Sequence, residues 1–217
     1  MKMFRNSFLL LAALCFGITA ANAQSGLDVY FGAGTMSADS SGKSIDTFGT
    51  GQSFPANTAG LYNTPRLGGL FGKAGADFMF TPHFGVGGEA DFRFTQGAYA
   101  GLTYRPTFYD FYGIYQPTTR FKRVVPVLIG GLGAANLKFY DSQSFCNAFT
   151  GCSSSSNSLD SSNHFQVRVG AGLALYATPH IFVRPQVDAH YVNNFFQFGS
   201  NWVPEYSVSV GYRFGEH

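Results

Sequence analysis

The sequence predicts an all-β protein, an eight-stranded antiparallel up-and-down transmembrane β-barrel. Three observations carry that expectation. Apolar residues beyond position 24 recur with a period of two, the signature of strands with unlike faces, and no helical period appears. Charge is scarce, with 12% Asp, Glu, Lys and Arg against about 25% in an ordinary soluble domain, while aromatics reach 17%, with 24 Phe, 12 Tyr and a single Trp. The few charges also share faces. In 178–191 (T-P-H-I-F-V-R-P-Q-V-D-A-H-Y), Arg184, Gln186, Asp188 and His190 fall on one side and Val183, Pro185, Val187, Ala189 and Tyr191 on the other. Such strands suit a fold that is apolar outside and charged inside. The net charge of +2 argues for neither a nucleic-acid partner nor an acidic substrate.

Taken in order, the chain begins with an export segment. Lys2 and Arg5 form a basic n-region, residues 8–21 an apolar core, and Ala21-Asn22-Ala23 an A-x-A site before Gln24. The core is shorter than the ~20 residues a membrane-spanning helix needs. Residues 1–23 are therefore expected to be a cleaved Sec signal peptide, and 24–217 a single outer-membrane β-barrel domain.

Segment 27–36 alternates, with Val29, Phe31 and Ala33 on one face, and a polar insertion follows over 37–64. In 65–80, Ala74, Ala76, Phe78 and Phe80 oppose Lys73, Gly75 and Asp77. Thr81-Pro82-His83 makes a tight connection to 84–96, whose polar face carries Glu89, Asp91 and Arg93. Segment 102–115 is aromatic and strand-like, but Arg105 and Asp110 fall on opposite faces, so a bulge or an early end is expected. A turn at 116–123 carries Arg120, Lys122 and Arg123.

Segment 124–140 has Val125, Val127, Ile129, Ala135, Leu137 and Phe139 on one face, expected outside, and Asn136 and Lys138 on the other. A second polar insertion, 141–163, holds Cys146 and Cys152. Then 164–176 sets Phe165, Val167, Val169, Ala171, Leu173 and Leu175 against Gln166, Arg168, Gly170 and Gly172. The Thr-Pro-His turn recurs at Thr178, and the strand after it repeats the polar face of 84–96. The last strand places Val203, Tyr206, Val208, Val210, Tyr212 and Phe214 against Ser207, Ser209, Gly211 and Arg213. A ten-residue strand tilted ~45° rises about 23 Å, close to the apolar band of an outer-membrane barrel. With both termini in the periplasm, the tight turns fall on that side and the long insertions outside, the usual asymmetry.

The terminal alternation Tyr206-x-Val208-x-Val210-x-Tyr212-x-Phe214 resembles the C-terminal signal of outer-membrane barrels, although three residues follow Phe214. Residues 24–217 as a whole resemble the small eight-stranded outer-membrane β-barrel proteins, the OmpA/OmpX-like barrel superfamily. That resemblance implies the outer membrane of a bacterium with a two-membrane envelope, with loops 37–64 and 141–163 extracellular. It implies a structural or surface-interaction role. The expected partners are outer-membrane lipid and lipopolysaccharide, the barrel-assembly machinery during biogenesis, and an extracellular partner reached through those loops.

Eight strands leave an interior that side chains fill. The expected interior polar network is Lys73, Glu89, Asp91, Arg93, Arg168, Arg184, Asp188 and His190. Turning these to lipid would cost about 2–4 kcal/mol for each mid-bilayer Arg or Lys, which fixes the register. Folding the first hairpin about Pro82 puts Lys73 opposite Asp91. The homologous hairpin puts Arg168 opposite His190 and diagonal to Asp188. A filled plug is the expected reading, with an ion-conducting path the alternative. Catalysis would need a nucleophile beside His190, and Ser207 and Ser209 lie on the next strand, but no Ser-His pair falls in register near a rim. No enzyme activity, cofactor or metal is expected. The two other readings are a lipid-A-modifying outer-membrane enzyme and a secreted lipocalin-type barrel, which would reverse the faces. Cys146 and Cys152 are expected to pair in an oxidising compartment. So small a ring stabilises by roughly 2–2.5 kcal/mol in the chain-entropy model.

Overall fold

Eight long strands close on themselves in chain order in a computed structural model that describes residues 26–39, 44–46, 53–55, 66–99, 102–117, 123–147, 151–195, 198 and 200–215. They are β1 (Gly26–Met36), β2 (Phe71–Met79), β3 (Phe84–Arg93), β4 (Leu102–Tyr115), β5 (Val124–Asn147), β6 (Gly151–Tyr176), β7 (Ile181–Val192) and β8 (Trp202–Phe214). Each pairs antiparallel with its neighbours, and β8 closes on β1 from Leu27↔Phe214 to Met36↔Glu205. The expected signal peptide and most of 37–64 lie outside the described residues. Within the latter, Ser44–Asp46 pairs with Ser53–Pro55, and Ala38–Asp39 with Arg66–Leu67.

Within the barrel wall, closure leaves no strand edge, so there the pleat alone decides what faces lipid and what fills the lumen. On β7 the expected alternation holds. Phe182, Arg184, Gln186, Asp188, His190 and Val192 are buried, while Ile181, Val187 and Tyr191 are exposed. Outside, an apolar band runs between two aromatic girdles. One carries Phe92–Phe94 (5.3 Å) and Tyr191–Trp202 (5.2 Å). The other, at the tight-turn end, carries Phe84–Tyr115 (5.0 Å) and Tyr212–Phe214 (4.7 Å). Aromatic girdles outside and buried charges inside are the reverse of a lipocalin, and they match a barrel in lipid.

The two Thr-Pro-His turns share one geometry. Thr81 Oγ1 accepts the Phe84 amide (2.9 Å) and Thr178 Oγ1 the Ile181 amide (3.0 Å). His83 Nδ1 then lies 2.9 Å from the Gln116 carbonyl, and His180 Nδ1 3.1 Å from that of Arg213. A carbonyl only accepts, so each ring carries its proton on Nδ1. Each His latches its turn to the next strand along.

Four sequence expectations are corrected. First, 141–163 is a continuation of strand rather than an insertion. Residues pair from Val124↔Leu175 to Asn147↔Gly151, with a register shift between Phe139 and Tyr140. The seven residues from Asp141 to Asn147 carry the hairpin roughly 23 Å further. Its run of serines carries no apolar alternation to announce a strand, yet the main-chain ladder continues through it. Second, β5 faces the opposite way. Val127, Ile129, Ala135, Leu137 and Phe139 are buried in the lumen, while Leu128 and Leu132 are exposed and Lys138 points outward. Both faces of β5 are apolar, so alternation could not orient it. Third, the parity of β4 is clean, with no bulge. Tyr104, Phe108, Asp110, Tyr112 and Ile114 are buried and Tyr109, Phe111 and Tyr115 exposed, leaving Arg105 on the outer face. Fourth, Val203 is fully buried and shares its face with Glu205 and Ser207, not with Tyr206.

Candidate functional site: the charged layer of the lumen

The lumen is filled in layers. Farthest from the tight turns lies an apolar cluster that includes Met36, Phe71, Tyr104, Phe108, Leu137 and Val203. Phe195 and Phe198, from the β7–β8 connection, fold into it with their rings 4.6 Å apart. Near the tight turns lies a second cluster, including Met79, Ile114, Val127, Ile129 and Phe182. The buried charges lie between and around these clusters. Strand β5 supplies side chains to both, and at the charged level it has glycine instead. A Cβ on Gly133 would collide with the Tyr109 carbonyl and press against Asp110 Oδ1. Only glycine leaves room there for the Asp110 carboxylate.

Register also sets like charges against one another in this layer. Direct cross-strand neighbours include three pairs of carboxylates, Asp28↔Asp77, Glu89↔Asp110 and Asp188↔Glu205. Like charges directly opposite destabilise a strand pair. Each pair is met by cations from other strands. Lys73 Nζ lies 2.6 Å from Glu205 Oε1 and 3.7 Å from Asp188 Oδ2, and it also donates to Glu89 Oε1 at 2.8 Å. Arg168 pairs closely with Glu89, and reaches Asp110 Oδ2 at 3.5 Å and Asp188 Oδ2 at 3.0 Å. His190 Nε2 donates to Glu205 Oε2 at 2.9 Å, and its Nδ1 lies 3.8 Å from Asp110. Gln166 donates to Asp110 (2.7 Å) and Gln186 to Asp188 (2.9 Å).

The third carboxylate pair is handled one to one. Arg184 Nη1 donates to Asp77 Oδ2 at 2.6 Å, and its guanidinium lies 4.0 Å over the Tyr30 ring. Tyr112 OH donates to the other Asp77 oxygen at 2.6 Å. Arg213 grips Asp28 with two nitrogens, at 2.7 and 2.6 Å. Planar guanidinium suits that bidentate geometry. Tyr30 OH donates to Glu89 Oε2 at 2.6 Å and links the two layers.

The expected cross-strand alignments are present as register. Lys73 opposes Asp91 and Arg168 opposes His190. The expected diagonal contact is made, Arg168 to Asp188 at 3.0 Å. Lys73 stands 3.8 Å from Asp91 and makes its short pairs with Glu89, diagonal on that same strand, and with Glu205 across the lumen. Of the expected network, Lys73, Glu89, Asp91, Arg168, Arg184, Asp188 and His190 lie together in the buried interior. Arg93 does not. It is half-buried near the outer mouth, donating to Tyr104 OH at 3.0 Å. Asp28, Tyr30, Asp77, Asp110, Tyr112, Glu205 and Arg213 complete the network and are absent from the sequence-derived set. Asp77 and Arg213 already sat on polar faces. Asp110 and Glu205 were hidden by the parity assigned to β4 and to the start of β8.

The middle layer is short of positive charge. Glu89, Asp91, Asp110, Asp188 and Glu205 face Lys73, Arg168 and His190. Asp91 is the outlier, with both carboxylate oxygens buried and without a hydrogen-bond partner. Glu89, Asp91 and Glu205 offer oxygens within 4.8 Å of one another. The Lys73 ammonium already occupies the place between Glu89 and Glu205 that a cation would take. Among the described residues no nucleophile is set up beside His190 either. Ser207 and Ser209 stand opposite Gln186 and Arg184, and His190 stands opposite Val203. The hairpin register brings Cys146 opposite Cys152, and their side chains lie outside the described residues.

Comparison with known proteins matches this architecture. The family model for the outer membrane protein beta-barrel domain matches residues 7–214. A major outer membrane protein from Thermus thermophilus superposes with a TM-score of 0.54 at 13% identity, covering 88% of this chain and 99% of that one. Ail of Yersinia pestis, solved in complex with the heparin analogue sucrose octasulfate, gives 0.49 at 15% identity over 88% and 99% of the two chains. Neisserial surface protein A gives 0.49 at 14% identity over 89% and 97%. No curated protein matches the sequence. The chain therefore belongs to the outer membrane protein beta-barrel domain family, as an integral barrel of a bacterial outer membrane.

Proposed function

We propose that this protein is a sealed, non-catalytic barrel that serves the envelope by anchoring and presenting the long β5–β6 hairpin at the cell surface. The carrying observation is the filling of the lumen, in which charges that pair with one another lie between two apolar clusters. A pore-lining interior keeps its charges wetted, whereas these are almost entirely removed from solvent. In the same reading residues 1–23 are cleaved on export and the barrel-assembly machinery inserts the rest. Cys146 and Cys152, opposed at the hairpin tip, pair as a local staple. The surface partner is reached through 141–163 together with 37–64.

The test combines two measurements on cells expressing the protein with one on their lipid. Removing 141–157 and joining Tyr140 to Ser158, its register partner, through a short turn is expected to leave a barrel that sediments with outer membranes and migrates faster unboiled than boiled. Protease added to intact cells is expected to cut the full-length protein only in the hairpin and in 37–64. Lipid A from expressing and deletion strains is expected to have the same mass spectrum. A protein-dependent change in lipid A, or a hairpin protected in intact cells and cut only from the periplasm, would overturn the reading.

A further inference from the structure

In the lumen each of the directly opposed carboxylate pairs is met by counter-ions from other strands. One opposed pair of cations faces outward instead. Arg105 on β4 stands directly opposite Lys138 on β5, and both are exposed on the outer surface. Among the described residues neither is within ion-pair distance of a carboxylate. The hydrogen bond of Arg105 is a long one, from Nη2 to the Phe94 carbonyl at 3.5 Å. Two cations directly opposed across a strand pair repel, so the arrangement calls for an anion from outside the chain.

Position narrows what that anion is. Phe84 and Tyr115 mark the girdle at the tight-turn end. Arg105 lies about ten residues from Tyr115 on β4, which places it about 23 Å along the barrel axis, level with Phe94 of the other girdle. That is the boundary between the apolar band and the headgroups of the leaflet on the hairpin side. Directly beneath the pair, Thr107, Asn136 and Asn163 form a second row across β4, β5 and β6. Asn136 donates to Asn163 at 2.7 Å and keeps its own Oδ1 buried without a partner. Further down, the same face becomes an apolar groove between Phe111, Leu132 and Val86, floored by Gly113 and Gly130. A Cβ on Gly130 would meet nothing within 4 Å, so the floor is open to the bilayer.

We infer that Arg105 and Lys138 bind the phosphate of an outer-leaflet lipid whose acyl chain lies in the groove below. A second copy of the chain fits less well. Below the hairpin extension, the carboxylates Asp28, Asp77, Glu89, Asp91, Asp110, Asp188 and Glu205 all point into the lumen, so among the described residues its band has no anion to offer. The assignment of leaflet rests on the orientation proposed above, while the lipid chemistry does not.

The test is native mass spectrometry of the folded protein in detergent with added lipid A, with phosphatidic acid, or with phosphatidylcholine. Wild type is expected to retain lipid A and phosphatidic acid and not phosphatidylcholine. Arg105→Gln or Lys138→Gln is expected to weaken retention about five-fold, and the double variant more than about ten-fold, while Arg105→Lys largely keeps it. Arg123→Gln, at the tight-turn end, serves as the charge-matched control. Equal retention by the double variant, equal loss in the Arg123→Gln control, or retention of phosphatidylcholine like that of lipid A would overturn the inference. Heat-modifiable migration of each variant separates lost binding from lost folding. Protease mapping of the hairpin reports the orientation independently.

Discussion

Two parts of the lumen solve the same problem differently. In the lower part Asp28 and Asp77 are opposed, and each has its own arginine, Arg213 and Arg184. In the middle, two opposed carboxylate pairs and Asp91 share Lys73, Arg168 and His190. One-to-one pairing makes each loss local. Sharing makes each cation answer for several anions, so the middle layer concentrates both stability and vulnerability in Lys73 and Arg168. Buried pairs are weak evidence of net stability against an apolar replacement, but removing one partner alone leaves a costly orphan.

That contrast orders the expected effects. Lys73→Met is the most damaging, because it strips the ammonium from Glu89 and Glu205 at once. A loss of about 5 kcal/mol is expected, read by urea unfolding in lipid vesicles with Trp202 fluorescence. Arg184→Met orphans a single carboxylate that still accepts from Tyr112, so about 3 kcal/mol is expected in the same assay. Equal losses would erase the distinction between shared and private cations.

A third comparison tests the orientation of β5. Leu137→Ala opens a cavity in the lumen and is expected to cost about 2–4 kcal/mol, whereas Leu132→Ala, at a position 56% exposed, is expected to cost less than about 1 kcal/mol because lipid refills the space. The reverse ranking would restore the face that alternation suggested. Smallest is Asp91→Asn, which removes one surplus charge from a carboxylate without hydrogen bonds. Stability is expected to stay within about 1 kcal/mol of wild type, and the substitution is expected to recover part of the Lys73→Met loss in a double-mutant cycle.

Much of this was legible from the chain. On β3 and β7, a Thr-Pro-His turn followed by alternating charge located both turns, the strand directions and the inward face, because lipid on one side and charge on the other leave no second solution. Strand β5 escaped for the opposite reason. The lumen is apolar at both ends, so Val127 and Leu137 go inside while Leu128 and Leu132 go out, and the lone Lys138 pointed the wrong way. The carboxylates Asp110 and Glu205 needed only a clean parity. Some ion pairs follow from register, since Arg168 lies diagonal to Asp188 and contacts it at 3.0 Å, and Asp28 stands directly opposite Arg213; others do not. Residues that approach across the lumen, such as Lys73 and Glu205 at 2.6 Å, belong to strands that are not neighbours, and no local spacing relates them. The hairpin beyond Tyr140 was hidden because its polar, serine-rich sequence shows no apolar alternation that would mark a strand.

The function proposed for this barrel depends on the buried charges and the apolar clusters around them closing the lumen. Recording single channels from the refolded protein in planar bilayers tests that closure most directly. No unitary conductance steps are expected, in wild type or in Asp91→Asn. Steady ohmic steps in wild type, reduced or abolished by Lys73→Met, would show instead that ions pass through the charged layer.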